Sequence, residues 1–160
     1  MPSDLWGFTL DLYARPGVEQ ACLRLQASGA NVCVLLCGAW LMHRGVPCDS
    51  RRMLEIGQLA GRWEDAVVGP LRQLRTQWRD AAQLDPPLAL LREQVKALEL
   101  AAERELIVRL EKLSQDWPGV STEDQADQAD PSDWLTGLAG EAANRNRDAL
   151  QVLRVAMSRA

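Results

Sequence analysis

Four side chains able to hold a metal crowd into one short stretch: Cys33, Cys37, His43 and Cys48, spaced C-x3-C-x5-H-x4-C. Thiolates and an imidazole can hold zinc in a tetrahedron, and structural sites usually take them from paired CxxC knuckles. That pairing is missing here. Two of the thiols also lie on the most apolar stretch of the chain, where burial favours the neutral form. Free cysteine packs as a small hydrophobe, so core packing is preferred to a zinc site and no cofactor is expected. His43 is the single histidine, so a Ser–His–acid or Cys–His system has to use it. No GxSxG elbow accompanies it, and no catalytic residue is assigned. A helix C-terminus favours a cation, which makes capping the expected use of His43 and Arg44.

The charged residues offer two further constellations. Glu99, Glu103, Glu105 and Glu111 invite comparison with di-iron bundles, which need Glu together with ExxH pairs facing inward. No ExxH occurs in the chain, and a solvated carboxylate face is expected, with Glu105 and Arg109 placed for an i,i+4 ion pair. Arg72, Arg75 and Arg79 form a basic ridge near Arg62. Such a ridge is ordinarily a solvated face; it can also receive an acidic partner, including the chain's own acidic stretch 123–133. Six tryptophans stand against one Phe and one Tyr, each with a large apolar surface and an indole N–H that seeks an acceptor. Most belong in a core. Trp6, Tyr13 and Trp40 are the candidate walls of a site for an apolar small molecule. Gln26 and Asn31 flank the turn into the most apolar segment, where capping and loop anchoring are their ordinary uses.

Helices must position all of these. From Val32 to Met42 the chain is apolar or Gly without interruption, and a helix hydrophobic all round belongs inside a protein or a membrane. The run is about half the ~20 residues a bilayer span needs, so it predicts a buried central helix capped by Asn31. Before it, Ser3 or Asp4 can cap a helix through Tyr13 with a face of Leu5, Trp6, Leu10 and Tyr13, and a second helix follows the Arg15-Pro16-Gly17 break to about Gln26. After it, Asp49 or Ser50 opens a long segment whose stripe runs Met53, Ile56, Ala60, Trp63, Val67, Leu71, Leu74, Trp78, Ala81, with a kink expected at Gly69-Pro70. Asp85-Pro86-Pro87 starts a helix to about Gln115 with a stripe at Leu88, Leu91, Val95, Leu98, Ala102, Leu106, Leu110 and Leu113, making an antiparallel hairpin. Residues 118–130 are acidic and nearly free of large apolar groups, which predicts a mobile linker. A last helix is expected from Pro131 or Ser132 to about Met157, with a polar gap at Asn144-Arg145-Asn146-Arg147.

The 160 residues carry a net charge of −4, and nucleic-acid binding calls for a basic footprint. The excess acid sits in 86–160, with thirteen acidic and nine basic side chains. MPSDLWGF shows no positive leader followed by an apolar run. A cytoplasmic chain with reduced cysteines is expected, acting on neither nucleic acid nor membrane.

Residues 6–41, WGFTLDLYARPGVEQACLRLQASGANVCVLLCGAWL, resemble the N-terminal signature of a small family of uncharacterised proteobacterial proteins. An aromatic-rich helix leads there into ACLxLQ (here Ala21, Cys22, Leu23, Leu25, Gln26) and then into a helix matched by Gly29, Asn31, Val32, Leu35, Leu36 and Trp40. The helical pair after Ser50, with Pro70-Leu71-Arg72, is also similar, so the resemblance spans about residues 1–115. It implies a cytoplasmic all-helical protein of unknown function, and no catalytic residues carry over from it.

The expected fold is an all-α, single-domain bundle of five to six helices around the central one. The expected layout is a bundle over 1–117, the linker 118–130, and a tethered C-terminal helix over 131–160. The function expected is a non-enzymatic interaction or regulatory role through a helical groove, with a protein partner or a second copy of the chain. The alternatives are a bundle binding or acting on an apolar small molecule, and the zinc site.

Overall fold

The computed structural model describes residues 4–120 and 133–158, and among these the secondary structure is entirely helical. The elements are α1 (Leu5–Tyr13), α2 (Val18–Ala27), α3 (Val32–His43), α4 (Ser50–Trp63), a π-helical turn (Glu64–Val68), α5 (Gly69–Gln77), α6 (Arg79–Ala82), α7 (Pro86–Ser114), α8 (Trp134–Ala139), α9 (Glu141–Arg145) and α10 (Arg147–Ser158). Local chemistry sets their starts. Asp4, Asn31, Asp49, Asp85 and Asp133 each accept a hydrogen bond from the backbone N–H three residues on, the exchange that satisfies an orphan donor at a helix N-terminus.

The centre is α3, as its uniform apolarity demands: Val34 to Leu41 are all buried. Around it pack α1, α2, α4, α7, α8 and α10. The approach of α8 is close. A Cβ added at Gly38 would lie 2.7 Å from Leu138 Cδ1 and 3.4 Å from Trp134 Cβ, so the glycine is what lets the two helices meet. Trp134, 2 % exposed, donates its indole N–H to the Val46 carbonyl at 2.8 Å and stacks on Trp117 at 6.2 Å between ring centroids.

Besides the α7 stripe, whose Leu91 and Leu98 are exposed, three details differ from the expected pattern. In α1 the buried side chains are Leu5, Phe8, Thr9 and Leu12, while Leu10 is exposed and Trp6 and Tyr13 are half-buried; the helix is turned to lay Phe8 against the His43 ring. The final helix is three helices, interrupted at Gly140 (φ 58) and at Asn146 inside the expected polar gap; all three contribute to the same core as α3, through Leu135, Ala142, Leu150 and Leu153 among others. The linker expected at 118–130 falls mostly on 121–132, outside the described residues. Its first residues are tied down, with Val120 N–H donating to the Gly45 carbonyl at 3.0 Å.

Arg44 explains how α7 ends. Expected to cap its own helix, it stacks over Trp40 at 4.5 Å and donates to the carbonyls of Ser114, Gln115 and Trp117. One guanidinium therefore satisfies the orphan acceptors of a helix 70 residues away in sequence. From that anchored end α7 runs about 43 Å outward, and its N-terminal half leaves the core. There it packs against α5 and α6, neither of which has a buried residue, forming a two-helix arm.

Candidate functional site

Where α4 becomes α5, the helix takes in one wide turn. Pro70 brings no N–H to the ladder, and the N–H of Gly69 reaches back five residues to the Glu64 carbonyl. An added Cβ at Gly69 would sit 2.8 Å from that same oxygen, so a glycine is required there. π turns are rare and recur at functional positions.

Directly beside this turn five charged side chains converge. Arg72 donates to Glu99 Oε1 at 3.1 Å, to Glu64 Oε1 at 3.0 Å and to Glu103 Oε1 at 3.3 Å. Arg75 adds two bonds to Glu99, at 2.5 and 3.2 Å. Arg92 reaches across to the Arg75 carbonyl at 2.9 Å. Glu99 is 6 % exposed, so the carboxylate face expected to be solvated is instead the inside of the hairpin. The basic ridge is corrected in the same way: Arg72 and Arg75 are taken up by the chain's own α7, while Arg79 remains exposed and makes no ion pair among the described residues.

Two carboxylates one turn apart respond oppositely. Burial alone would raise the Glu99 pKa, but the hydrogen bonds from Arg75 and Arg72 outweigh it and hold the carboxyl below its ordinary value. Burial raises Glu103, and its single long bond to Arg72 does not compensate. Three carboxylates face two guanidiniums, and Glu103 shares them through one bond only. The arrangement neutralises charge and fixes the register of α5 on α7.

On the other side of Trp63 lies an open groove of about 410 Å³ between α4 and α7. Trp63 is its hinge point: the indole N–H donates to the Ala102 carbonyl at 2.8 Å, and the Arg109 guanidinium covers the ring at 4.0 Å while pairing with Glu105 at 3.1 Å. Leu59 and Leu113 supply the remaining apolar lining, and Glu55, Gln58 and Arg62 complete it. Sequence reading missed this groove because it is made by two helices 50 residues apart, although the stripe positions Trp63 and Leu113 both face it.

Residues 4–110 match the family described as protein of unknown function (DUF2390). The chain belongs to that family. No curated protein and no solved structure matches it. The DUF2390 stretch takes in α1 to α6 and most of α7, with the whole ion-pair cluster, the π turn and nearly all of the groove. The helices α8 to α10, which close the core over α3, lie beyond it.

The remaining predicted residues do not assemble into one site in this DUF2390 member. Trp6 is covered by the Arg104 guanidinium at 4.5 Å, Trp40 is 2 % exposed in the core, and neither lines the groove. Tyr13 is half-buried, its pKa raised by burial and then by the charge of nearby groups, Cys22 and Glu103 among them. Asn31 caps α3, accepting from Val34 N–H at 3.3 Å, and the exposed Gln26 closes α2 with its carbonyl, which accepts from Gly29. The four-residue zinc set is not drawn together: Cys33 faces the Glu103 carbonyl at 3.8 Å, Cys37 faces Ser114 Oγ at 3.9 Å, and His43 lies on Phe8. Among the described residues no group of three or more His, Cys, Asp or Glu is placed to hold a metal ion. Burial pushes the thiols of Cys33 and Cys37 up to about 12 and that of Cys22 to about 11, which keeps them protonated and inert. Among the described residues no helix is long and apolar enough to cross a membrane.

Proposed function

We propose that this chain is a non-enzymatic interaction protein of the bacterial cytoplasm that seats a helix of a protein partner in the α4–α7 groove. The observation that carries this reading is the groove's composition: the apolar side chains of Leu59, Trp63 and Leu113 among the charged Glu55, Arg62 and Arg109. Apolar anchors spaced three or four apart on a partner helix suit such a lining, and charges of both signs around it would favour complementary charges on that helix. The fate of the ionisable groups supports it as well. Those that converge do so as arginine–carboxylate pairs that hold helices together, and the cysteines are raised towards the neutral thiol. Four free cysteines suit a reducing compartment, the resemblance described above points to bacteria, and the net charge of −4 favours a protein over a nucleic acid.

Site-specific photocrosslinking in the native host tests the proposal. A photoreactive residue at Gln58, inside the groove, is expected to yield one defined adduct; the same residue at Glu141, on α9, is not. Arg62→Glu, an exposed charge reversal, should abolish the adduct with folding intact. Equal labelling from both positions, or an adduct indifferent to Arg62→Glu, would exclude the groove.

A further inference from the structure

The groove between α4 and α7 is lined by three charged side chains, and they are not equally satisfied. Glu55 is answered within its own helix, where Arg51 Nε lies 3.1 Å from its carboxylate. Arg62 is exposed and makes no ion pair among the described residues. Arg109 is half satisfied. Its Nε donates to Glu105 Oε1 at 3.1 Å, while its two terminal nitrogens make no hydrogen bond or ion pair among the described residues. Asp65 and Asp116, close in sequence to the lining, pair with neither arginine. The lining thus holds cationic donors that the described residues leave unmatched, and its one anion is matched. Arg109 is also held in place. Its guanidinium covers the Trp63 ring at 4.0 Å, and that ring is fixed by its indole N–H bond to the Ala102 carbonyl at 2.8 Å. A guanidinium stacked on an aromatic face and tethered at Nε has little rotamer freedom left to lose, so its planar fork is preorganised for a carboxylate.

Resting on the reading of the groove as a helix seat, we propose that the partner helix is acidic: one of its carboxylates takes the two terminal nitrogens of Arg109, and a second pairs with Arg62. Its apolar anchors cover Leu59, Trp63 and Leu113. The choice follows from what each kind of helix would leave unpaired. An apolar helix would cover Arg62 and the Arg109 fork with no acceptor, at the cost of desolvating both. A basic helix would find one carboxylate in the lining, Glu55, and would have to displace Arg51 from it. An acidic helix meets donors that are already unmatched, and bidentate arginine–carboxylate bonds are among the stronger polar contacts available. The chain's net charge of −4 opposes an acidic partner at long range. That field is screened over about 8 Å at physiological ionic strength, whereas the contacts at Arg109 and Arg62 are made within hydrogen-bond distance.

Mapping the photocrosslink from Gln58 tests this. The adduct formed by the full chain in its host is digested and the partner segment sequenced; the expected segment is an amphipathic helix with apolar residues three and four apart and Asp or Glu beside them. A synthetic peptide of that segment is then titrated against the full chain. Exchanging its acidic residues for Asn and Gln should weaken binding at least about tenfold, and Arg109→Gln should weaken the parent peptide to a similar degree. Arg109→Lys, which keeps the charge and loses the fork, should recover only part of that loss. Binding lost in Arg62→Glu should return with a peptide carrying Lys in place of one acidic residue, a rescue that a purely structural role for Arg62 would not give. Both arginines are exposed, so circular dichroism and thermal melting of the variants should match the parent. A partner segment that is neutral or basic overturns the acidic assignment and leaves the groove reading standing. So does a peptide indifferent both to its own carboxylates and to Arg109→Gln. An adduct formed only between two copies of this chain also overturns it. No adduct from Gln58 removes the groove reading and this inference together.

Discussion

At its C-terminal end α7 packs Leu106, Ile107 and Leu110 into the core shared with α1 and α3; at its N-terminal end the same helix meets α5 and α6, which bury nothing completely. The first region is held by apolar area, which is additive and tolerant of small shifts. The second is held by a handful of directional bonds from Arg72 and Arg75 to Glu99, Glu64 and Glu103. Directional bonds fix register well and resist removal of one partner badly, because the stranded charge keeps its desolvation cost. The molecule thus divides its labour along a single helix.

Removing Trp134 attacks the area-dependent side most heavily. Trp134→Ala empties a large core volume and strands the Val46 carbonyl, so a loss of about 3–5 kcal/mol is expected in denaturant unfolding, with protection from hydrogen exchange falling across α3 and α8 together. If exchange changes only in α8, the C-terminal helices are not part of one cooperative core.

Glu99→Ala attacks the directional side. A loss of about 1–3 kcal/mol is expected, confined to faster exchange over residues 69–100 while α3 keeps its protection. Equal loss in α3 would erase the distinction between arm and core.

Acid should separate the two regions without mutation. Glu99 has a depressed folded pKa, so its contribution is present above the ordinary carboxylate value and is lost as pH falls through the lower folded one. Glu103 has a raised pKa, so its contribution is present below the ordinary value and is lost as pH rises through the higher folded one. Carboxyl NMR titration should find Glu99 below 4.5 and Glu103 above it, with the arm loosening before the core on acidification. Glu103→Gln is expected to leave stability at neutral pH unchanged or slightly higher. The reverse order of the two carboxyls would break the assignment.

Much of the area-dependent half is written plainly in the chain. Eleven successive apolar or glycine positions from Val32 to Met42 leave a helix nowhere to go but inside, and Asn31, Asp49 and Asp85 mark helix starts because their side chains are short acceptors ahead of apolar stripes. The directional half is harder to read. Periodicity on α7 suggests one stripe containing Leu91, Val95 and Leu98, whereas the fold splits it, burying Val95 and leaving both leucines outside. A helix with apolar residues on two faces does not announce which one the chain itself will use. Glu99 was hidden for a related reason: a carboxylate four residues from Val95 reads as solvated until arginines from another helix arrive. Gly69-Pro70 gives away a break but not its form, since a π turn depends on where the following helix must dock. The groove needed both helices in place before Trp63 and Leu113 became neighbours.

That wide turn also makes spacing more important than composition. Helical residues advance by about 100° each, and the π turn takes up one residue more than a regular turn, so closing it to a regular turn with every residue kept would swing everything beyond it by about that angle. Arg72 and Arg75 would then point away from Glu99, although every side chain in the cluster was still present. The width of that turn therefore sets the phase in which Arg72 and Arg75 meet α7.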